Sequence, residues 1–578
     1  VNLRALATGA GFGIGAAGLL AAHLRTPDPG WILLAGALLG ALGGQMRPGH
    51  AALARPLAGA AAALLGALVP GHPEPAFFAL LALVASGLSW PLQPGRLDAP
   101  LPRWALPGSF ALGAAVFFVQ SAGRLQDFGA GSKDLGLFYQ THWLIAHGLP
   151  PFNTVMGLHA LADHMEFLDW PIALLLRLHD GPETLLLVQA VSCASAVFPL
   201  GWLGERLVGP RAGLALAWAW LLAPDLHLGI MFDYNPTLPG SAALLWTAWA
   251  LVCRGLPAAL AAGLLACLSK ENTCLYVAVM SGVLGLRVAP WRRCAAVAAL
   301  ALALFAAEMA LVFPRFREGG FRHWEFEDLG QTPAETAAAA VQRPWDVVRL
   351  LVDQPQKRRS LLQPLSATGF LSLADPVSLL LQVPNWAERL LSTHRTRWWG
   401  YHYGVPGAAA ACLGALLGLH RLGARGGGAA PYLVACAGLC GLLAPYRTPL
   451  GNLGSDLYLL QQPNVSPPDE VATQRAAIAF VGSNPYLKVA AQDRLLPYLA
   501  GRRDIYLLER ALDAEVIVLH VGGSSWPYGP VDHRRRLREV RATGSFGVAF
   551  CEGRSVVLRR GLASSLPCPA WDEVTAGR

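Results

Sequence analysis

The stretch GSKDLGLFYQTHWLIAHGLPPFNTVMGLHALADHMEFLDWP, residues 131–171, breaks the texture of the chain around it. Its neighbours are long runs of Ala, Leu and Gly. Within it stand Asp134, Asp163, Glu166 and Asp169, four histidines and a cluster of aromatics. Polar side chains this dense are tolerated near a bilayer only outside the hydrocarbon or around an aqueous cavity. The fold therefore turns on how many apolar runs flank this island and on which side of the membrane it lies.

Of the 578 residues, 54% are hydrophobic and 14% charged, against roughly 25% charged in soluble chains. Apolar runs near the length needed to cross the bilayer core recur along the chain. Four fall in the first hundred residues, at 5–24, 31–47, 51–70 and 75–94. The first has no small-residue cleavage site before the second begins and reads as a retained span. Further runs follow at 104–123, 184–204, 212–224, 237–253, 257–269, 272–286, 294–313, 401–420 and 430–446, with one or two short ones in 360–384. The expectation is a mainly α, polytopic helical bundle of about 13 spans. A net charge of +8 fits loops biased toward the cytoplasm and anionic lipid, with no nucleic-acid partner.

Positive-inside bookkeeping gives sidedness. Arg4, the Arg47/Arg55 loop and the Arg96/Arg103 loop share one face; Arg25/Asp28 and His72/Glu74 share the other. The N-terminus is then cytoplasmic and the polar loop 124–183 lies outside. Arg254 and the cluster Arg287, Arg292 and Arg293 read as cytoplasmic, which puts Lys270–Glu271 at the outer tip of a short hairpin sunk in protein. The segment 314–360 is ambiguous; an amphipathic helix along the interface suits it as well as a loop.

From residue 447 the apolar runs shorten and become β-rich: AAIAFVG, YLKVAA, DIYLL, EVIVLHV, FGVAFC and SVVLRR, with RLLPYLAG helical between two of them. That alternation predicts a small C-terminal α/β domain, placed outside by an odd span count. The organisation expected is an additional four-span region over 1–100, a multi-span core over 101–446 and the soluble domain over 447–578. Eight of ten cysteines lie in or beside apolar runs as small buried hydrophobes. Cys551 and Cys568 lie in the soluble segment, where a disulfide is allowed but not required. The glycines of GAGFGIGAAG, with no strand before them, serve helix packing rather than a dinucleotide. There is no P-loop, no HExxH and no nucleophile elbow.

Four polar sets map to the outer face. These are Lys133–Asp134 with Asp163, His164 and Glu166; Asp233–Tyr234–Asn235–Pro236; Lys270–Glu271; and Tyr401–His402–Tyr403. Structural readings stand beside each. Asp134 suits the N-cap of LGLFYQTHWLIAHG, and Lys270–Glu271 suits an ion pair at a tight turn. His159, Asp163 and His164 can supply metal ligands, but no closed zinc spacing is present; a divalent ion is admissible and no motif requires one. His142 and His147 suit the membrane interface. One chemical task fits the whole set: a carboxylate deprotonates an acceptor hydroxyl while Lys270, Arg124 or His402 holds a lipid-linked phosphate. The partners expected are membrane lipid and a polyprenyl-phosphate-linked substrate.

KDLGLFYQTHWLIAHGLPPFNTVMGLHALADH resembles the opening signature of the membrane proteins grouped as domain of unknown function 2079, in which Asp-Leu-Gly leads to Gln, then His-Gly, then an Asp-His pair. MFDYNPTLP, LSKENTCLYVAV, HYGVP and VAAQDRLLPYLAGRRDIYLL resemble its later elements in order, over residues 104–560. Asn235 stands where the family has His, Thr237 where it has Glu, and Asn272 where it has Asp. The layout is similar to C-type integral-membrane glycosyltransferases, which carry a catalytic acid in the first large outer loop. The resemblance implies Asp134 as general base with Asp163, His164 and Glu166 beside it. Substrate contacts would fall to Lys270, Asp233, His402, Tyr403, Gln140 and Arg124, with Glu271 orienting Lys270. From another class, a transporter with Lys270–Glu271 and Asp233 along its path, or an envelope-assembly scaffold, also suits a chain of this kind.

Overall fold

The computed structural model describes residues 100–576 apart from 319–320, 322, 399, 424–429, 431–432, 435 and 438–465. The four spans expected before residue 100, and most of the run 430–446, lie outside the described residues. Three described helices are long and apolar enough to cross a bilayer: Ala105–Gln126 (α1), the pair Glu183–Ser195 (α2) and Val197–Leu207 (α3) read as one span, and Trp291–Phe316. Pro210–Leu221 (α4) and Pro224–Ile230 (α5) make a fourth if counted together across a 45° bend. Thr237–Cys253 (α6), Leu256–Cys267 (α7) and Val405–Arg421 are apolar but shorter. The expected hairpin is present, with α7 rising to Lys270 and Glu271–Arg287 (α8) descending from it.

The core around these helices is small-residue packing. On α3 and α4, Gly204 and Gly213 lie so close that a Cβ on Gly204 would sit 2.1 Å from the Gly213 Cα. No side chain fits there, and the backbones touch. The segment 360–384, read as one or two spans, is instead a helix over Pro355–Ser366 and 3₁₀ turns at Leu371–Ala374 and Pro376–Gln382. Gly369 and Phe370 in left-handed conformation separate them, and Pro364 and Pro376 interrupt the repeat. The stretch 314–360 is likewise no single interfacial helix: His323 reaches Asp163 and His164 of the polar loop, and short helices follow at Pro333–Gln342 and Pro344–Val352.

The C-terminal domain is α/β. Its strands are Val489–Ala491 (β1), Ile505–Leu507 (β2), Val516–His520 (β3), Phe546–Glu552 (β4) and Ser555–Arg560 (β5), in the spatial order β2-β1-β3-β5-β4. β1 runs parallel to both neighbours, with Val489 opposite Ile505 and Val516; β5 is antiparallel to β3 and β4. AAIAFVG, read as a strand, belongs to the helix Pro468–Val481. Pro at its first turn, Asp469 and Glu470 behind it and the buried spacing Val471, Gln474, Ala477 all favour a helix, and all but Ala477 lie outside the seven-residue window that looks β-rich. Cys551 and Cys568 are joined in a disulfide.

Candidate functional site

Asp134 sits on a single wide helical turn, Ser132–Gly136, that runs directly into the helix Leu137–Ala146. Such turns lift a residue out of the regular ladder and recur at functional sites. Asn235 Nδ2 donates to Asp134 Oδ1 at 3.1 Å. Its own Oδ1 accepts the Thr237 N–H at 3.1 Å, and its N–H donates to Gln189 Oε1 at 2.9 Å. The amide is therefore oriented with its NH₂ toward the carboxylate. Burial pushes the Asp134 carboxyl above its usual range, against the pull of the Asn235 bond and of the Lys133 and Lys270 charges.

Asp233 is held beside it. Arg124 Nη1 lies 2.6 Å from Asp233 Oδ1 and also reaches the Phe232 carbonyl, while the Gly131 N–H donates to Asp233 Oδ2 at 3.1 Å. Burial raises Asp233 to about 7 even so, and the neighbouring Asp134 adds to the rise. Arg124, expected on a phosphate, is committed to positioning the second motif.

Lys270 is buried, one residue ahead of α8, and among the described residues its ammonium has no ion pair and no hydrogen bond. Its charge nevertheless acts on Asp134, Glu166, His323 and His402, residues contributed by three separate segments. Glu271 does not orient it. That carboxylate instead takes His164 Nδ1 at 2.8 Å and the Met165 N–H at 3.0 Å. The His164 ring stacks on His323, centroids 4.2 Å apart and planes within 9°, and His323 Nε2 meets Asp163 Oδ1 at 2.8 Å. Burial, reinforced by His164, lowers His323 to about 4. Asp163, His164 and His323 offer donor atoms within 4.8 Å of one another and are the described residues that could hold a divalent ion. His159, the sequence candidate, instead accepts the Leu161 N–H and stacks on Phe316.

Glu166 is buried, and its Oε1 has no hydrogen-bond partner among the described residues. Burial raises its carboxyl well above the usual range, with Asp169 next in weight. His402 is buried too, its Nδ1 unpartnered among the described residues. Burial and then the Lys270 and Arg397 charges push it well below the ordinary histidine range, so it is a neutral imidazole. Tyr403 lies 4.2 Å from it, ring to ring, under the Arg397 guanidinium, and burial raises its phenol to about 12.

A second tier supports this floor and was not foreseen. Glu388 accepts from Asn272 Nδ2 at 2.9 and 3.0 Å, from Tyr276 Oη at 3.0 Å and from Arg397 at 3.4 Å; Arg397 also pairs with Glu325. Asn385 Nδ2 donates to the Tyr403 carbonyl at 2.7 Å. An amide at 272 thus suits the carboxylate it faces. The signal for this tier was FRHWEFED, a second polar-aromatic island. Gln140 does not join the cluster: its amide bonds Thr154 twice and the Arg503 carbonyl, tying the loop to the C-terminal domain. His142 lies buried 3.3 Å from Asp169, and His147 stacks on Trp143.

No curated protein matches the chain. Among solved structures it is similar to ArnT from Cupriavidus metallidurans bound to undecaprenyl phosphate, with 14% identity and a TM-score of 0.46 over 81% of this chain and 100% of that one. It is also similar to the Archaeoglobus fulgidus oligosaccharyltransferase tethered to an acceptor peptide, with 12% identity and a TM-score of 0.41 over 72% of this chain and 69% of that one. The family described as "Predicted membrane protein (DUF2079)" matches residues 124–557, a span that contains every residue of the cluster. The chain belongs to that family of membrane proteins.

Proposed function

We propose that this protein transfers a sugar from a polyprenyl-phosphate donor to an acceptor hydroxyl at the outer face of the cytoplasmic membrane. The observation that carries the reading is Lys270. A buried ammonium without an ion pair is costly; among the described residues Lys270 has none, and it stands within the field of Asp134, Glu166, Glu271 and His402. A phosphate oxygen would supply the direct ion pair. Neutral His402 and the Tyr403 hydroxyl lie beside it as further hydrogen-bonding groups.

In the proposed step the acceptor oxygen attacks the anomeric carbon, and the bond from that carbon to the phosphate oxygen breaks. The polyprenyl phosphate leaves with the electron pair, and Asp134 takes the acceptor proton. A carboxyl raised by burial and oriented by Asn235 is a better base near neutral pH than an exposed one. Single displacement inverts the anomeric configuration. Lys270 holds the charge that grows on the phosphate as the bond breaks.

The outer location is supported by two features. The helix α8 separates Lys270 from Arg287 by 17 residues, roughly 25 Å, so the cluster and the basic Arg287, Arg292 and Arg293 lie at opposite ends of one helix. The Cys551–Cys568 disulfide suits an oxidising compartment.

The test is Asp134→Asn in proteoliposomes carrying a polyprenyl-phospho-sugar in the outer leaflet. General-base loss predicts a fall in turnover of about 10²–10⁴, with donor binding retained. Unchanged turnover in a folded variant removes Asp134 from the base role.

A further inference from the structure

Beside the membrane-facing cluster, the C-terminal domain carries a crevice of about 410 Å³, within the roughly 300–1,000 Å³ of small-molecule sites. Its place in the sheet is informative. In the order β2-β1-β3, the connection leaving β1 goes to one side and β3 lies on the other. That divergence opens a gap outside the carboxyl ends of β1 and β3, where open parallel sheets bind ligands. The lining follows from it: Gln492 and Arg494 come just after β1, and His520 through Ser525 end β3 and continue past it. Glu470 and Gln474 close the third side from the helix Pro468–Val481.

The chemistry of the walls selects among ligands. His520 Nε2 lies 3.0 Å from Glu470 Oε2, which holds a carboxylate in a crevice that Arg494 also lines. Glu470, with Asp469 beside it, also occupies the first turn of that helix, where an anion would otherwise be attracted. A phosphate is therefore disfavoured. Buried Gln492 is locked by the Ser524 carbonyl at 2.6 Å and the His520 N–H at 2.7 Å. Among the described residues the Ser525 hydroxyl has no partner, and Trp526, 38% exposed, follows it. The Glu470 carboxylate, the Arg494 guanidinium and the Ser525 hydroxyl together match groups that both donate and accept, as sugar hydroxyls do, and offer no net charge of one sign.

The crevice is also wired to the base. Ser524 Oγ donates to Asp493 Oδ2 at 2.9 Å, and Asp493 Oδ1 accepts from Ser132 Oγ at 2.6 Å and from the Ser132 N–H at 3.0 Å. Ser132 opens the turn that carries Asp134. Gly131 is wedged between Asp493 and Asp233: a Cβ there would lie 3.4 and 3.6 Å from their carboxylate oxygens.

We propose that the crevice at the carboxyl ends of β1 and β3 binds a neutral carbohydrate and serves as the acceptor subsite of the transfer reaction. Its acceptor role rests on the reading in the preceding section; its carbohydrate binding stands on the crevice alone. The test uses the full chain in detergent and saturation-transfer NMR with methyl mannoside, methyl galactoside and N-acetylglucosamine, and with inorganic phosphate as competitor. The expected result is saturable binding of at least one saccharide that phosphate does not displace. Ser525→Trp should weaken it at least tenfold, and Asp134→Asn should leave it unchanged. In the transfer assay Ser525→Trp should raise the acceptor KM at least tenfold with the donor KM unchanged. Arg494→Gln, which keeps a planar hydrogen-bonding group, serves where the tryptophan variant fails to fold. Saccharide binding unaffected by both variants, binding of phosphate alone, or no binding at all overturns the proposal. Transfer that survives Asp134→Asn, with saccharide binding intact, overturns the base assignment and leaves the carbohydrate site standing.

Discussion

At the scale of single residues, the acids, Lys270 and the two late aromatics were legible because ionisable groups between apolar runs demand a reason. Their partners were not. Glu271 was read as the neighbour of Lys270 because it is adjacent in sequence. An extended residue followed by the first residue of a helix projects its side chain elsewhere, and Glu271 found His164 a hundred residues away. Asn235, a departure from the family pattern, proves to be the hydrogen-bond donor to Asp134. Because that bond lowers the Asp134 carboxyl against the rise imposed by burial, Asn235→Ala should raise it further. The acid limb of the pH dependence of kcat/KM then moves to higher pH; an unmoved limb would show that Asn235 does not tune the base. Arg124 and Asp233 give a second test. Asp233 titrates near 7 in the folded protein, above the unfolded carboxyl at about 3.9. A raised carboxyl costs stability as pH climbs from the unfolded to the folded value. Arg124→Met removes a lowering charge and pushes the folded value up again. Its deficit against wild type should therefore be small below pH 7 and grow above it, toward about 3 kcal/mol. Thermal melts across that range check it, and adding Asp233→Asn should flatten the dependence.

At the scale of elements, hydropathy located α1, the α2–α3 span, the Lys270 hairpin and the last apolar helix because each is a run bounded by charge or proline. It failed at 360–384, where proline and left-handed residues cut a run of adequate hydrophobicity into turns too short to span. It failed again at AAIAFVG, where the helix is set by its first turn rather than by the apolar window. Sequence also flagged glycine packing, but in the first span; the contact described here is between α3 and α4. A Cβ on Gly213 would lie 2.4 Å from the Gly201 carbonyl oxygen and 3.1 Å from the Gly204 Cα. Both obstacles are backbone and neither can rotate away. Gly213→Val should destabilise the bundle by about 3 kcal/mol, read as a lowered melting temperature and loss of the monodisperse peak in detergent. A control on α8, Gly282→Ala, meets nothing within 4 Å and should be neutral or better.

At the scale of the whole molecule, the α/β character of the C-terminal part was visible in its strands and the span count put it on the same side as the polar loop, but how it docks on that loop was not legible. No periodicity records which face of a soluble domain meets which loop. The docking buries one shared apolar cluster, in which Leu125, Phe128, Leu135 and Trp143 join Leu495, Leu496, Leu499 and Ile505, and polar bonds at its margin make it specific. Thr154 Oγ1 donates to the Ile505 carbonyl at 2.6 Å and accepts the Ile505 N–H at 3.0 Å, so the polar loop is pinned to the edge strand β2. Gln140 Nε2 donates to the Arg503 carbonyl at 3.0 Å and to Thr154 at 2.7 Å, and its Oε1 accepts the Thr154 N–H at 3.0 Å. Leu496 then rests on Gly136, where an added Cβ would come within 2.5 Å of its methyl. Gln140 is thus placed to hold the domain against the turn that carries Asp134. Gln140→Leu keeps the volume and deletes three hydrogen bonds, leaving the buried Thr154 N–H without its partner, at about 1–3 kcal/mol for the unsatisfied group. The loss falls at one margin of that apolar seam and should loosen the loop and the facing margin of the domain together. Hydrogen exchange should quicken together at 132–136 and 489–507 while α2 and α6 stay protected, and transfer should fall at least tenfold without change in donor binding. Faster exchange confined to 150–159, with turnover intact, would mean that the base turn holds its shape unaided and that the domain contributes binding surface alone.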